Sequence, residues 1–194
     1  YIMKISDFSN NSYYLNSSLS FFKENFEKRL RFIKKKNFLF NEISNFLNNC
    51  IDNTKNVFIF SAANSIISKK IESKKIIIKE IDEKYKEQHN ENVTYIDQIQ
   101  DEEITNSDTV IIADIEHQSN PTLNLLNLSK IINDDAKIIV LSKNMIWMIL
   151  LKFLKYFFDF SPFKNNFLPS SYLNNLFSSC NLEIVRNEKI IALP

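Results

Sequence analysis

Short apolar runs recur through the middle of the chain and predict the strands of a sheet. Their positions are 56–60, 74–80, 92–96, 108–114 and 136–142. The runs are continuously apolar rather than alternating, which is typical of parallel strands that are buried on both faces. Segments with a helical pattern separate several of them, at 66–71, 82–88 and 122–132. Strands that alternate with helices predict an α/β fold with a mainly parallel sheet and helices on both faces.

The N-terminal quarter of the chain has a helical pattern. Apolar residues recur there at spacings of three and four, as at Phe22, Phe26, Leu30 and Ile33. This spacing places them on one side of a helix. We therefore expect an N-terminal helical extension over residues 1–52, followed by a single α/β domain over residues 53–194.

The C-terminal end departs from the strand-and-helix alternation. A helix predicted over 168–180 opens at Pro169, with a cap signal at Ser170 and Ser171. Residues 181–194 then hold two short apolar runs joined near residues 187–188, which predicts an antiparallel β-hairpin. The expected sheet is therefore parallel except for this closing hairpin.

The complete absence of glycine changes how turns must be built. At an average usage of about 7%, roughly 13 or 14 glycines would be expected, and the chain of 194 residues has none. Tight turns must therefore use Asn, Asp, Ser or Pro, and Asn tolerates the left-handed conformation best among these. The net charge of +1 generates no field that would recruit nucleic acid, so we expect no sequence-specific nucleic-acid partner.

The two cysteines and the most apolar segment bear on location. Cys50 and Cys180 lie far apart, and no Cys/His/Asp cluster has the spacing of metal ligands, so we predict a reduced, cytoplasmic protein without a metal. No signal peptide is apparent. Residues 145–160 form an apolar run of 16 residues that contains charges, shorter than the ~20 of a membrane span. A lid over an apolar substrate, a peripheral membrane contact and a protein interface all remain open for it.

A basic run near the N-terminus is interleaved with apolar residues. Its cations are Arg29, Arg31, Lys34, Lys35 and Lys36. Phe32, Ile33 and Phe38 lie among them. Such a run can bind phosphate groups or anionic lipid, but it is more often the solvated side of a helix that packs on the core, and we favour that interpretation.

Three stretches carry a resemblance to a known family. The stretch "ADIEHQSNP" (113–121) is similar to the family pattern S-D-V-L-E-H-x-x-D-P, with one residue fewer. The stretch "FLPSSYLNNLFSSCNLEIV" (167–185) is similar to L-S-P-E-x-L-x-x-L-L-x-x-A-G-F-x-V, with Asn181 at the glycine. The basic helical lead-in "RLRFIKKKNFLFNEI" (29–43) is similar as well. Together with the order of elements, from about residue 20 to 194, the chain resembles the class I S-adenosylmethionine-dependent methyltransferases.

The resemblance implies both a fold and an activity. Residues 53–194 would form a Rossmann-like methyltransferase domain that uses S-adenosylmethionine as its cofactor. The closest similarity is to bacterial domains that methylate small molecules or glycans, so the expected acceptor is a small molecule or a glycan- or lipid-linked group. Some of these domains are fused to a glycosyltransferase, which implies a neighbouring domain in the full-length chain. The alternative is a catalytically inactive methyltransferase-like scaffold or regulatory partner.

The cofactor loop is where the chain departs from the family. The resemblance assigns Ser61, Ala62, Ala63 and Asn64 to this loop, where the family carries an acidic residue and then G-x-G-x-G. Aligned without gaps, the glycine positions hold Ser61, Ala63 and Ser65, and the acidic position holds Ile59. An added Cβ costs on the order of 1–2 kcal/mol where the left-handed region is required, and it fills space near the ligand. Asn64 and the small side chains could still let backbone N–H groups face a ligand.

Further site residues follow from the same resemblance. Glu80, nineteen residues after Ser61, has the family spacing of the acid that binds the ribose hydroxyls; a solvated charge and a role for Asp82 instead are the alternatives. Either Asp97 or Gln98 would contact the adenine amino group. Asp114 and His117 follow the fourth strand, where Asp114 would contribute to both cofactor binding and catalysis. His117 would act as the general base, unless it only caps the next helix.

Overall fold

The structure is a computed structural model that describes residues 13–52, 55–61, 65–86, 91–113, 115–142 and 168–188. In this part of the chain, five parallel strands form one sheet. The strands are β1 (Asn56–Ser61), β2 (Lys75–Glu80), β3 (Val93–Ile96), β4 (Thr109–Ala113) and β5 (Lys137–Leu141). Their order is β3-β2-β1-β4-β5, and all neighbours are parallel. The five predicted strands and the Rossmann-like α/β sheet are therefore confirmed.

Helices precede, connect and follow the strands. They are α1 (Asn16–Glu24), α2 (Phe26–Lys35), α3 (Asn37–Cys50), α4 (Asp101–Thr105), α5 (Pro121–Ile131) and α6 (Ser170–Ser179). The predicted helix at 122–132 is α5, whereas the segments at 66–71 and 82–88 contain short 3₁₀ helices, Ser65–Lys70 and Glu83–Tyr85. The pattern did not predict α4, because its five residues are too few to show a helical repeat.

The two faces of the sheet carry chemically different cores. Successive strand residues point to opposite faces, so Val57 and Ile59 face one way while Phe58 and Phe60 face the other. The first face packs aliphatic strand residues against Ile33 of α2 and the buried residues of α3. The second is an aromatic core, to which α1, α4, α5 and α6 contribute. Helices thus cover both faces, as predicted.

The aromatic core includes residues from before α1 and from the short 3₁₀ segment that follows β2. Its aromatic members are Tyr13, Tyr14, Phe22, Phe58, Phe60 and Tyr85. The Phe22 ring meets Tyr85 edge-on at 6.0 Å between centroids, and the Tyr85 hydroxyl donates to the Phe22 carbonyl at 2.8 Å. Burial raises the pKa of Tyr85 to about 12, so this hydroxyl keeps its proton near neutral pH. The N-terminal helical segment is therefore fastened to the domain by specific contacts.

The end of α6 is closed by an asparagine in the left-handed conformation. Asn181 has φ 56°, the sole positive φ in the described part of the chain. The Leu182 N–H donates to the Phe177 carbonyl at 2.9 Å, and the Asn181 N–H to the Ser178 carbonyl at 3.2 Å. These are the two hydrogen bonds of a Schellman motif, which usually has glycine at this position. The predicted serine cap at the other end is wrong, because Pro169 is the N-cap residue and no side chain caps the helix there.

The predicted antiparallel hairpin after α6 is not supported. Residues 182–188 form no strand, and residues 189–194 lie outside the described part. Val185 is 91% exposed, so it does not contribute the buried side that a strand in this sheet would need. Arg186 binds Glu188 and lies over the Phe46 ring of α3 at 5.4 Å. Side-chain contacts, rather than backbone pairing, therefore hold this segment.

Two observations bear on the predicted surroundings of the chain. In the described ranges, no helix has both the length and the apolar character needed to cross a bilayer. The apolar segment at 145–160 lies outside the described residues. Cys50 and Cys180 are both free thiols, and burial raises the pKa of Cys180.

Candidate ligand site at the carboxyl end of the sheet

The carboxyl ends of β1 and β2 bring two of the predicted site residues together. Ser61 and Glu80 are the last residues of their strands and pair with each other in register. On the other side of β1 lies β4, which is also parallel to it. From β1 the strands β2 and β3 are added towards one edge of the sheet, and β4 and β5 towards the other, so the strand order reverses between β1 and β4. In open α/β sheets, ligands bind outside the carboxyl ends at the point where the strand order reverses. The predicted cofactor site therefore lies at the topologically expected edge.

Glu80 is buried and held in place by protein donors. The residue is 4% exposed, so the interpretation of Glu80 as a solvated charge is wrong. One oxygen, Oε2, accepts from the Ser61 hydroxyl at 2.7 Å, and Oε1 accepts from the Ile81 N–H at 2.8 Å. The alternative residue, Asp82, accepts from the Lys84 N–H at 3.0 Å and caps the 3₁₀ helix Glu83–Tyr85. Glu80 is thus the carboxylate fixed at the strand end, whereas Asp82 has a local structural role.

Ser61 occupies the first family glycine position without backbone strain. It belongs to β1, it is fully buried, and its φ is not positive. Its Cβ therefore carries no left-handed penalty, and the expectation of such a cost does not apply to this residue. What serine adds is a hydroxyl directed at Glu80. The other loop residues, Ala62, Ala63 and Asn64, lie outside the described part of the chain.

A segment that runs into the first turn of α1 covers this edge of the sheet. Residues 13–18, which we call the N-terminal strap, pair with the chain after β4 through an antiparallel bridge between Tyr14 and Gln118. The Leu15 N–H donates to the His117 carbonyl at 2.9 Å. The Tyr14 hydroxyl donates to the Ser61 carbonyl at 2.9 Å. Sequence reasoning missed this contact because it joins residues 47 apart and no local pattern marks either partner.

The strap is anchored by a second tyrosine. The Tyr13 ring stacks on Phe60 with centroids 4.9 Å apart and planes 14° apart. Its hydroxyl accepts from the Gln118 side-chain amide at 2.8 Å, and the Gln118 carbonyl oxygen accepts from Asn124 of α5 at 3.1 Å. Burial raises the pKa of Tyr13 well above its usual value, so the phenol remains neutral. The strap is therefore joined to both β1 and α5.

His117 lies beneath the strap, in the 3₁₀ helix Ile115–His117. It is fully buried, its Nδ1 is 3.0 Å from the Ser18 hydroxyl, and its ring meets Phe22 edge-on at 5.0 Å. It does not cap α5, because the side chain of Asn120 accepts from the Leu123 N–H at 3.0 Å in that role. The structure therefore brings His117 together with Ser18 of the strap. Asp114 lies outside the described residues.

The predicted adenine contact sits in a small charged cluster after β3. Asp97 directly follows Ile96, which pairs with Lys79, so it lies level with Glu80 at the strand ends. Lys86 donates to the Asp97 carboxylate at 2.6 Å, and this contact lowers the pKa of Asp97. The buried Lys79 ammonium binds the Asp97 carbonyl, and desolvation lowers the pKa of Lys79. Gln98 is exposed to solvent. An adenine amino group at Asp97 would therefore share the carboxylate with Lys86.

The buried carboxylate of Glu80 can accept hydrogen bonds from hydroxyl groups. The described residues do not form a metal site. No group of three or more His, Cys, Asp or Glu side chains within the described ranges is placed so that it could hold a metal ion.

Comparison with models of protein families gives no match to this chain, and a search of curated proteins gives none either.

Proposed function

We propose that the chain is a cytoplasmic S-adenosylmethionine-dependent methyltransferase that acts on a small-molecule or a glycan- or lipid-linked acceptor. The observation that carries the proposal is the buried Glu80 carboxylate at the end of β2, in register with the end of β1. It combines with a strand order that reverses between β1 and β4, where α/β proteins bind their ligands.

Glu80 has the chemical character needed to bind the ribose hydroxyls of an adenosyl group. A carboxylate accepts hydrogen bonds from hydroxyls, and Glu80 already accepts one from Ser61. A ribose hydroxyl would make the same type of bond at Oε2 after rotation of the serine side chain. Ser61 therefore competes with the ligand for Glu80, which supports weak rather than tight binding.

The remaining roles concern orientation and proton transfer. S-adenosylmethionine, when bound, supplies an electrophilic methyl group. Asp97 or Gln98, together with Ala62, Ala63, Asn64 and Asp114, would hold the rest of the cofactor. His117 would accept the proton of an acceptor hydroxyl or amine, with the Ser18 hydroxyl fixing the orientation of its imidazole. Because His117 is fully buried beside the strap, the proposal requires the strap to shift when the acceptor enters.

Calorimetric titration with S-adenosylmethionine and S-adenosylhomocysteine tests the proposal. We expect micromolar binding that Glu80→Gln weakens tenfold or more, about 1.4 kcal/mol. The matched control is Glu72→Gln, which removes an exposed carboxylate before the amino end of β2 and should leave the affinity unchanged. Equal weakening by both substitutions, or no heat at millimolar ligand from folded protein, would contradict cofactor binding at Glu80.

A specific observation favours the inactive scaffold as the second candidate. The polar groups at the ends of β1 and β2 are engaged by the protein itself, through Tyr14 on the Ser61 carbonyl and through Ser61 on Glu80. A site closed by its own side chains is what a fold that has lost its ligand would retain. The same titration separates the candidates, since the scaffold predicts no binding by the folded wild-type chain.

A further inference from the structure

The solvent-facing side of α2 is strongly basic. Its exposed cations are Lys28, Arg31, Lys34 and Lys35, which we call the basic face. Spacings of three, four and seven residues place them on one side of the helix. The single acidic residue of α2 is Glu27, in the first turn. None of these four cations takes part in an ion pair within the residues that the structure describes.

Two exposed phenylalanines flank the C-terminal part of the basic face. Phe32 is 42% exposed and Phe38, just after the junction between α2 and α3, is 57% exposed. The helix is anchored from its other side by Ile33, which is 5% exposed and packs in the aliphatic core. A purely solvated helix face accounts for the lysines but not for two aromatic rings kept in water beside them.

We propose that the basic face, with Phe32 and Phe38, binds the surface of an anionic lipid bilayer. Phenylalanine side chains enter the boundary between headgroups and acyl chains, while lysine and arginine remain at the negatively charged headgroups. The net charge of +1 provides no general attraction, so the contact depends on this local cluster. The inference is independent of the proposed methyl transfer, because none of these residues belongs to the candidate ligand site.

The contact around Phe32 favours lipid over single-stranded nucleic acid. The Arg29 guanidinium lies over the Phe32 ring, 5.2 Å from its centroid. Nucleic-acid bases bind such platforms by stacking on an aromatic face. Because Arg29 covers one face of this ring, the ring is better suited to inserting its edge among lipids than to holding a base.

Vesicle co-sedimentation of the full chain tests the proposal. Vesicles of equal parts phosphatidylcholine and phosphatidylglycerol should sediment the protein, and vesicles of phosphatidylcholine alone should not. Removing one lysine from such a surface weakens binding about fivefold, so Lys34→Ala with Lys35→Ala should weaken it about 25-fold. The control pair, Lys74→Ala with Lys75→Ala, removes two neighbouring exposed lysines at the amino end of β2 and should have little effect.

The aromatic contribution has its own variant and control. Phe32→Ser with Phe38→Ser should weaken binding roughly tenfold through lost apolar insertion. Val185→Ser removes an apolar side chain that is 91% exposed elsewhere, and should change nothing. Circular-dichroism melting of each variant verifies that the fold is retained.

Three results would overturn the proposal. The first is equal sedimentation with neutral and anionic vesicles, or none with either. The second is unchanged binding in both the lysine variant and the phenylalanine variant, which would assign the contact to another part of the chain. The third is binding of a single-stranded oligonucleotide that these two variants abolish, without binding to vesicles. Calorimetry of the same variants with S-adenosylmethionine reports separately on the proposed methyltransferase site.

Discussion

The carboxyl end of β1 and the carboxyl end of α6 each hold a position where the family pattern has glycine and this chain has another residue, Ser61 and Asn181. At Asn181 the backbone takes the left-handed conformation, with φ 56°, and makes both hydrogen bonds of the motif. At Ser61 the backbone is that of a strand, and the new side chain donates to Glu80. Asparagine can thus adopt the backbone conformation for which glycine is usually needed. Serine cannot leave the space beside the backbone empty, as glycine does, because it adds a side chain.

This difference separates two consequences of a glycine-free chain. A turn requires a backbone conformation, and asparagine reaches the left-handed region with a modest penalty. A ligand loop requires that nothing fill the space beside the backbone, and every other residue adds at least a Cβ. We therefore expect the fold to be retained while affinity at the strand ends is reduced.

The largest expected effect is where the carboxyl ends of β1 and β2 meet. Glu80→Ala removes the acceptor of the Ser61 hydroxyl and of the Ile81 N–H, both in buried surroundings. Each donor left without a partner costs about 1–3 kcal/mol, so the free energy of unfolding should fall by about 2–6 kcal/mol in urea titrations. Glu80→Gln keeps an acceptor oxygen and should lose less than half as much. Equal losses for both variants would show that the charge, not the hydrogen bonds, stabilises this end.

The α6 end provides the converse test. Asn181→Ala should lower the free energy of unfolding by about 1 kcal/mol, because an alanine Cβ is unfavourable at this φ. Asn181→Gly should leave it unchanged or raise it slightly. Thermal unfolding of the two variants side by side measures the difference. A Gly variant less stable than the Ala variant would mean that the asparagine side chain, rather than the backbone, holds the turn.

A smaller effect is expected from the strap. Tyr14→Phe removes the hydrogen bond to the Ser61 carbonyl and should cost about 1 kcal/mol of unfolding free energy. Tyr172→Phe is its control, since the Tyr172 hydroxyl meets Thr122 at 2.8 Å in an exposed position where water replaces the partner. If both variants lose a similar amount of unfolding free energy, the buried Tyr14 hydrogen bond stabilises the fold no more than the exposed one at Tyr172.

The fold followed from the sequence because its signals are local. Continuous apolar runs such as that of β1 identified all five strands, and the helical pattern at 122–132 identified α5. The hairpin failed because Ile184 and Val185 have strand-like character but stay exposed, and burial is decided by distant parts of the chain. Patterns of this kind report what a segment prefers, not what it packs against.

The candidate site followed only in part. The spacing from Ser61 to Glu80 assigned both residues to one candidate site, and the structure pairs them in register at the strand ends. It could not indicate that the serine hydroxyl would bind the carboxylate, since that depends on the register of two strands and on a side-chain rotation. The strap was likewise invisible, because Tyr14 reaches Ser61 across 47 residues.

Titration of S-adenosylhomocysteine into the wild type, Ser61→Ala and Ser61→Gly tests the central claim most directly. The claim is that serine at the end of β1 occupies the ligand's contact with Glu80. Ser61→Ala removes the competing hydroxyl, and Ser61→Gly removes the Cβ as well. We predict that affinity rises several-fold with alanine and roughly tenfold or more with glycine, about 1.4 kcal/mol. Affinity that is unchanged or lower in both folded variants would contradict the account.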